Sequence, residues 1–373
     1  LGAPAADPSA TETVVAAAVM TQLSPTQSPI STLSTPPPDS GGKCGDGIWD
    51  DAEQADPGLC PQDRPTDAPA ASPAVAQSTP PAGDDLHQAE QAFLPQVTAV
   101  EKWVEISVIS QRQNFAPSIV KLHEGGYRIF WNDALAGGIT SATSPDGLTF
   151  TADSGLRFAS GQQGDLDCIA SHPWVIAVEG GYRMYYQGNE DCNPQPDSLP
   201  TYRIFSAFSS DGLNFTREGV RVDIGESTGL TQAAHGRVLL LADGRYRMWF
   251  SANFIGKNGP ADILGATSTD GLTWTFDSAP TLERAHDPTV IRIGDKIYIY
   301  TTFLGDNFVI LESADGFAFT PVSWVEFYNA AGERIEEFGD ADILLNDDGK
   351  LLIYGSGKGA PGLGVYVREG SQR

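Results

Sequence analysis

The sequence predicts an all-β protein, a five-bladed β-propeller of four-stranded antiparallel blades. Two observations carry this prediction: five similar strand pairs, and a turn motif that recurs behind four of them. Their spacing of roughly 50 to 60 residues is typical of radially repeated strand units. A Pro-, Ala-, Ser- and Thr-rich segment, predicted to be disordered, precedes the repeats. The predicted domains are a low-complexity stalk at residues 1–96 and the propeller at residues 97–373.

Each repeat contains an apolar strand, a glycine turn and a second strand rich in aromatic residues. Glycine supplies the positive φ angle that such tight turns need, and the apolar segments on both sides predict paired strands. The turns and second strands are EGG (124–126) before YRIFWN, EGG (179–181) before YRMYYQG, DGR (243–245) before YRMWFSAN, GDK (294–296) before IYIYTTF, and DDGK (347–350) before LLIYGSG.

The second motif is Ser-x-Asp-Gly-x-x-aromatic. We interpret it as a structural turn in which the Ser and Asp side chains bond nearby backbone amides and the aromatic residue re-enters the core. Its four copies occupy residues 144–150, 209–215, 268–274 and 313–319.

The fifth repeat ends after its third strand, GLGVYV at residues 362–367. The missing fourth strand is predicted to be WVEISV at residues 103–108, which precedes the first repeat. Pairing these two segments would close the ring and remove an exposed sheet edge.

The first 99 residues hold 15 of the 26 prolines, and Trp49 is the only aromatic residue before Phe93. Such a segment buries too little apolar surface to offset the entropy of ordering. The apolar run at residues 14–20 is too short to span a bilayer, so no transmembrane segment is predicted. Because the chain begins with Leu1, we expect that any signal peptide has been removed.

The formal net charge of −25 argues against nucleic acids and anionic membranes as partners. We interpret the acidic surface as a source of solubility and expect a monomer.

The four cysteines form two local pairs. Cys168 and Cys192 flank the inner hairpin of the second repeat, where a disulfide would pin the loop that begins at Gln187. Cys44 and Cys60 bracket an acidic cassette that resembles CGDG-type segments of secreted bacterial proteins. The resemblance implies one disulfide bridge. Calcium binding and a solvated acidic loop remain the two alternatives for this cassette. Paired cysteines in a Pro-rich, acidic chain indicate an extracytoplasmic protein, secreted or tethered to the cell surface.

The innermost strands of a propeller converge on a central channel, so residues in register on these strands should meet around one axis. Three of the five histidines of the chain fall at or beside this predicted ring. No close His/Asp spacing accompanies them, so we interpret them as polar channel residues in preference to the alternative of metal ligands, and we assign no metal site. The ring positions are Ala116, His172, His235, Asp287 and Asp340, with His286 beside them.

The segment HDPTVIRIGDKIYIYTT at residues 286–302 resembles the inner-strand motif of glycoside hydrolase family 43, of the arabinosidase and xylosidase type, and its five-bladed relatives. GDADILLNDDGKLLIYG at residues 339–355 and NFAPSIV at residues 114–120 are similar to two further segments of that family. The likeness extends over the whole propeller at the level of the repeat pattern. Only short segments match closely residue by residue. It implies hydrolysis of an oligo- or polysaccharide, with no required cofactor.

The same resemblance implies that Asp287 is the general base and that Asp340 tunes the general acid. Glycoside cleavage needs one protonated carboxyl group at the leaving oxygen and one ionised carboxylate. The acid has no direct match in the chain, and Glu337 and Asp167 are its preferred candidates.

The candidate substrate contacts include His172, His235 and His286, which would hydrogen-bond sugar hydroxyl groups. Trp174 would stack on a sugar face, with burial between blades as the alternative. Asp342 is the last candidate, and a structural role is its alternative.

Two other functions remain open: a non-catalytic carbohydrate-binding propeller and a structural or protein-binding propeller at the cell surface. Fold alone does not choose among them, since propellers host many functions.

Overall fold

The computed structural model describes residues 97–110, 115–194, 201–303, 307–358, 360 and 362–370. This part of the chain consists of strands, turns and loops, and none of its elements is a helix. It therefore offers no helical segment that could traverse a bilayer. The predicted stalk, with Cys44 and Cys60, lies outside the described residues.

Strand β1 (Val100–Ser110) precedes three separate antiparallel sheets, which are blades I to III. The outer strands of blades I and III are only two residues long. Blade I contains β2 (Phe115–Lys121), β3 (Tyr127–Asp133), β4 (Gly138–Ser144), β5 (Thr151–Ala152) and β6 (Phe158–Ala159); blade II contains β7 (Ile169–Val178), β8 (Gly181–Asn189), β9 (Tyr202–Ser209) and β10 (Thr216–Val222); blade III contains β11 (Leu230–Leu240), β12 (Tyr246–Phe254), β13 (Asp262–Ser268) and β14 (Thr275–Phe276).

Blades IV and V share one eight-stranded sheet. They are joined because the last strand of blade IV and the first of blade V start as a hairpin, in which Phe327 pairs with Ile335. Blade IV contains β15 (Ala285–Ile293), β16 (Lys296–Phe303), β17 (Asn307–Ser313) and β18 (Thr320–Tyr328); blade V contains β19 (Arg334–Leu345), β20 (Leu351–Lys358) and β21 (Leu363–Arg368).

Strand β1 supplies the fourth strand of blade V, as predicted. It runs antiparallel to β21, where Val104 lies opposite Val367. It also runs parallel to β18, where Trp103 lies opposite Phe327. The Trp103 side chain is fully buried in the core between these strands, so the predicted closure of the ring is confirmed.

The inner strand of each blade contacts the inner strands of both neighbouring blades. The order of these contacts is β2, β7, β11, β15, β19 and back to β2, which is a closed ring of five. The apolar core is divided into clusters between successive blades. The predicted five-bladed all-β fold is confirmed.

The Ser-x-Asp-Gly motif forms the predicted turn, as its copy at Ser268 shows. The Ser268 hydroxyl accepts the Gly271 N–H at 2.9 Å, and Asp270 Oδ1 accepts the N–H groups of Leu272 and Thr273, each at 2.8 Å. The Thr273 and Leu272 N–H groups outweigh partial burial and lower the pKa of Asp270 to about 2. The other three copies make the same bonds.

Each of these turns is held by the preceding blade. Arg183 and Tyr185 of blade II donate to the carbonyl groups of Asp270 and Gly271, at 3.1 and 2.8 Å. The motif aromatic Trp274 meets the Tyr185 ring edge-on, with ring centroids 5.9 Å apart. The equivalent edge-on pairs are Phe150 with Tyr354, Phe215 with Phe130, and Phe319 with Trp249.

The disulfide predicted between Cys168 and Cys192 is confirmed, with the two Cα atoms 5.2 Å apart. It ties the segment before β7 to the segment after β8. A covalent bond therefore joins β7 and β8 at the end of the hairpin where β7 begins and β8 ends.

Candidate active site

The five inner strands share one backbone distortion. In each strand the pairing register with the second strand shifts at the same place, and the residue there has a left-handed φ angle. A non-glycine residue in this conformation costs about 1–3 kcal/mol, and β-bulges re-aim side chains at functional sites. These are the same five residues that the strand alignment assigned to the ring. Their φ angles are 53° at Ala116, 51° at His172, 53° at His235, 54° at Asp287 and 49° at Asp340.

The His235 imidazole contacts both ring carboxylates. Its Nδ1 atom lies 2.5 Å from Asp287 Oδ1, and its Nε2 atom lies 3.8 Å from Asp340 Oδ1. His172 approaches the same carboxylate, with Nε2 3.3 Å from Asp340 Oδ1. The two imidazole rings are 4.6 Å apart. Side chains from four blades therefore meet at one point of the channel.

Asp287 is held on three sides. Its second carboxylate oxygen lies 3.0 Å from His286 Nδ1, and its N–H donates to Ser251 Oγ at 3.0 Å. Burial raises the pKa of Asp287, but His235 and His286 outweigh it and hold the pKa well below the ordinary value. The side chain is 14% exposed, so an anchored carboxylate keeps limited access to solvent.

Asp340 is the second ring carboxylate and is 23% exposed. Burial raises its pKa and so does the nearby Asp287, but His172 and His235 outweigh both and lower the pKa below its ordinary value. The two ring carboxylates are thus both favoured in the ionised form.

A belt of polar residues that was not predicted from the sequence lies next to the ring. Each lies on a second strand, opposite the residue that precedes a ring position. Ser251 shows its use, because its hydroxyl contacts His235 Nδ1 at 3.2 Å and accepts the Asp287 N–H. The signal was present as a polar sixth residue in all five second-strand motifs. This polar belt is Asn132, Gln187, Ser251, Thr302 and Ser356.

A buried arginine and a buried aspartate lie next to the ring. The Arg237 guanidinium is fully buried and donates to the carbonyl of Pro288 at 2.9 Å. Asp342, which is 1% exposed, accepts the N–H groups of Ile119 and Ile343, both at 2.6 Å. Burial raises the pKa of Asp342 to about 7, against the lowering by these N–H groups and by Arg237. The oxygens of Asp342 are engaged inside the protein, which fits the structural alternative, and its contact with substrate stays a prediction.

Trp174 is buried between blades II and III. Its indole N–H donates to the Val238 carbonyl at 2.9 Å, and the Arg237 guanidinium lies 5.1 Å from its ring. The side chain packs with Tyr185 in the core of these blades. The burial of Trp174 fits the alternative of packing between blades, and its stacking on a sugar stays a prediction.

The two candidate acids lie in different surroundings from the ring. Asp167 is buried, with Oδ2 accepting bonds from Tyr186 Oη and Arg217 Nε, both at 2.7 Å. Glu337 is 56% exposed and contacts Lys358 Nζ at 3.3 Å. It lines a groove of about 300 Å³ between β17, β18 and β19. Neither carboxyl group is among the contacts that join the ring residues.

No protein-family model matches the chain. Two uncharacterized proteins of Mycobacterium tuberculosis, from strains CDC 1551 / Oshkosh and ATCC 25618 / H37Rv, are each 39% identical to it over 105 residues. The matched region is 28% of this chain and 33% of each relative. The chain thus matches about a third of the length of these curated relatives.

Solved structures with a similar fold include glycoside hydrolases. A thermostable family-43 glycoside hydrolase superposes with a TM-score of 0.53 at 17% identity, over 68% of this chain and 88% of the other. A family 117 glycoside hydrolase of Zobellia galactanivorans gives 0.53 at 15% identity, over 72% and 91%. An α-L-arabinofuranosidase of Lactobacillus brevis gives 0.55 at 11%, over 70% and 92%. At such identities the likeness shows the fold, and this chain has the five-bladed propeller fold of family-43 and family-117 glycoside hydrolases.

Proposed function

We propose that the protein hydrolyses a glycosidic bond of a plant or microbial glycan at the channel mouth, with Asp287 as the general base. The observation that carries the proposal is the convergence of His172, His235, Asp287 and Asp340 on one point of the channel. The fold shared with solved glycoside hydrolases supports the substrate class.

The contacts of Asp287 support its assignment as the base. Two imidazoles and one backbone bond hold its carboxylate in a single orientation. A carboxylate that is already positioned can take a proton from an attacking water without rearrangement. In this proposal Asp340 keeps the electrostatic role of tuning the acid.

Glu337 is our candidate for the general acid. It lies three residues before Asp340 on β19, and its φ angle of 50° marks a second distortion of that strand. Its carboxyl group is exposed, and as the acid it would turn from Lys358 toward a bound glycan. Asp167 is less suited, because Tyr186 and Arg217 occupy its carboxylate.

The test is the substitution Asp287→Asn. Turnover of aryl arabinofuranosides, aryl xylosides and the corresponding oligosaccharides should fall about 100- to 10,000-fold, as expected for loss of a general base. Asp295→Asn is a matched control, because Asp295 is an exposed acid in the turn of the same blade. Equal thermal unfolding of both variants shows that the fold is kept. Wild-type turnover in Asp287→Asn would refute the assignment.

A second candidate function is glycan binding without cleavage. It is favoured by the position of Glu337 in its own groove and by the internal bonds of Asp167. Isothermal calorimetry with oligosaccharides, run beside product analysis, separates the two functions. Heat of binding without products supports the binding module, and products support the hydrolase. The absence of both supports the structural or protein-binding alternative.

We also propose that the protein is secreted or tethered to the cell surface. The Cys168–Cys192 disulfide supports this location, because such bonds persist in oxidising compartments. The expected monomeric state stays a prediction, which size-exclusion chromatography with light scattering would check.

A further inference from the structure

We propose that the ring is a binding site for a divalent transition metal ion of the zinc class, held by His172, His235 and Asp340. One ligand atom from each residue can be chosen so that all three atoms lie within 4.8 Å of one another. The three side chains can hold the ion whether or not the protein cleaves a glycan.

The separations of the ligand atoms fit a tetrahedral ion. Ligands at about 2.0–2.2 Å from such an ion lie about 3.4 Å from one another. Asp340 Oδ1 lies 3.3 Å from His172 Nε2 and 3.8 Å from His235 Nε2. Small side-chain movements would complete the three-ligand set and leave one position for water or another ligand.

The outer nitrogen of each imidazole already has a polar partner. His235 Nδ1 lies 2.5 Å from Asp287 Oδ1, and His172 Nδ1 lies 3.0 Å from Ser171 Oγ. Histidine ligands usually donate the ring N–H that does not face the metal to a carboxylate or another acceptor. This arrangement orients both Nε2 atoms toward Asp340.

Asp340 Oδ1 is a buried acceptor in need of a partner. Among the described residues none meets it in hydrogen-bonding geometry, although two imidazole nitrogens lie within 3.8 Å. An ion that shares this oxygen with both imidazoles would satisfy it.

The ligand types select the class of metal. Imidazole nitrogens suit zinc, copper, nickel and iron, whereas calcium takes six to eight oxygen ligands. From the sequence, metal binding was only the less favoured alternative, because the three ligands come from blades II, III and V and show no local spacing. The expectation of a ring without metal ligands is therefore replaced by this proposal.

The experiment is calorimetric titration of the full chain with ZnCl₂ after dialysis against a chelator. We expect one zinc ion per chain whose affinity depends on the ring. Asp340→Asn and His172→Ala should each weaken binding at least 100-fold, and Asp287→Asn about 10- to 100-fold through the lost partner of His235. His123→Ala is the control, because His123 contacts Tyr182 and the Gly181 carbonyl in another part of the propeller.

A second readout is the visible spectrum with CoCl₂. Bound cobalt should show the intense bands of a four-coordinate ion in the wild type and in His123→Ala, and lose them in Asp340→Asn. Equal zinc affinity in all variants would overturn the proposal, since the ion would then sit elsewhere. Binding of calcium in preference to zinc would overturn the metal class. If His172→Ala proves unfolded by circular dichroism, the near-isosteric Asp340→Asn decides. No sugar enters either assay, so the outcome is independent of glycosidase activity.

Discussion

At the scale of single residues, the positions two residues beyond the ring form a buried second layer. Arg237 and Trp174 contact each other across blades II and III, and Thr289 donates to Asp342 across blades IV and V at 3.3 Å. Ser118 completes the layer by accepting the N–H of a residue in blade II. Charged groups in this layer have no access to water, so each depends on its partners.

The substitution Asp342→Ala should lower the free energy of unfolding by about 3–5 kcal/mol. It removes the carboxyl group with the largest electrostatic influence on the buried Arg237 guanidinium, and it removes the acceptor of two backbone N–H groups. Urea unfolding measures the loss. Asp347→Ala, which breaks an exposed pair with Lys121, should cause a much smaller loss. Equal losses in the two variants would contradict the assigned role of Asp342.

At the scale of elements, the Ser-x-Asp-Gly turns are the joints between blades. Each turn satisfies its own amides through Ser and Asp and then presents carbonyl groups to the preceding blade. The aspartates of these turns have lowered pKa values because backbone N–H groups stabilise the ionised form. The joints should therefore weaken in acid.

Acid titration tests this weakening. The folded pKa of Asp270 is about 2, below its ordinary value of 3.8. Its contribution to stability is complete above about pH 4 and is lost as the pH falls through about 2. We expect Asp270→Asn to show a smaller fall in melting temperature than wild type over this window. Asp348→Asn, an exposed turn acid, should keep the wild-type fall, and a wild-type fall in Asp270→Asn would count against the turn's role.

At the scale of the whole molecule, one strand closes the propeller. Strand β1 bonds to β21 and also to β18, so it bridges the two blades that already share a sheet. Its buried Trp103 packs with Phe327 and Tyr366. Closure therefore depends on apolar packing as well as on the strand ladder.

Truncation of that side chain should be costly. Trp103→Ala is expected to destabilise the propeller by about 3–5 kcal/mol, the usual loss for a large core aromatic. Ile106→Ala in the same strand should cost less than about 0.5 kcal/mol, since Ile106 is 42% exposed. Both values come from denaturant unfolding. A Trp103→Ala loss no larger than that of Ile106→Ala would argue against packing as the basis of closure.

The sequence predicted the blade count, the turn motif, the closing strand and the residues of the ring. These follow from local patterns that repeat, so each copy supports the others. The burial of individual side chains and their bonding partners did not follow from the sequence, because both depend on how neighbouring blades pack. Trp174 and Asp342 were expected at the ligand and are buried, and Asp167 is engaged by Tyr186 and Arg217. The fusion of blades IV and V through β18 and β19 likewise depends on a hairpin between repeats.

The left-handed backbone at every ring position has an evolutionary consequence. The backbone has the same conformation at the ring position of all five blades. Point substitutions could therefore place a given side chain at the ring in one blade or in the next. The blade that carries a given chemical group can thus change while the fold stays the same. Ala116, which is fully buried, is the one ring position without a polar side chain, so a fifth reactive group would enter the ring by substitution there.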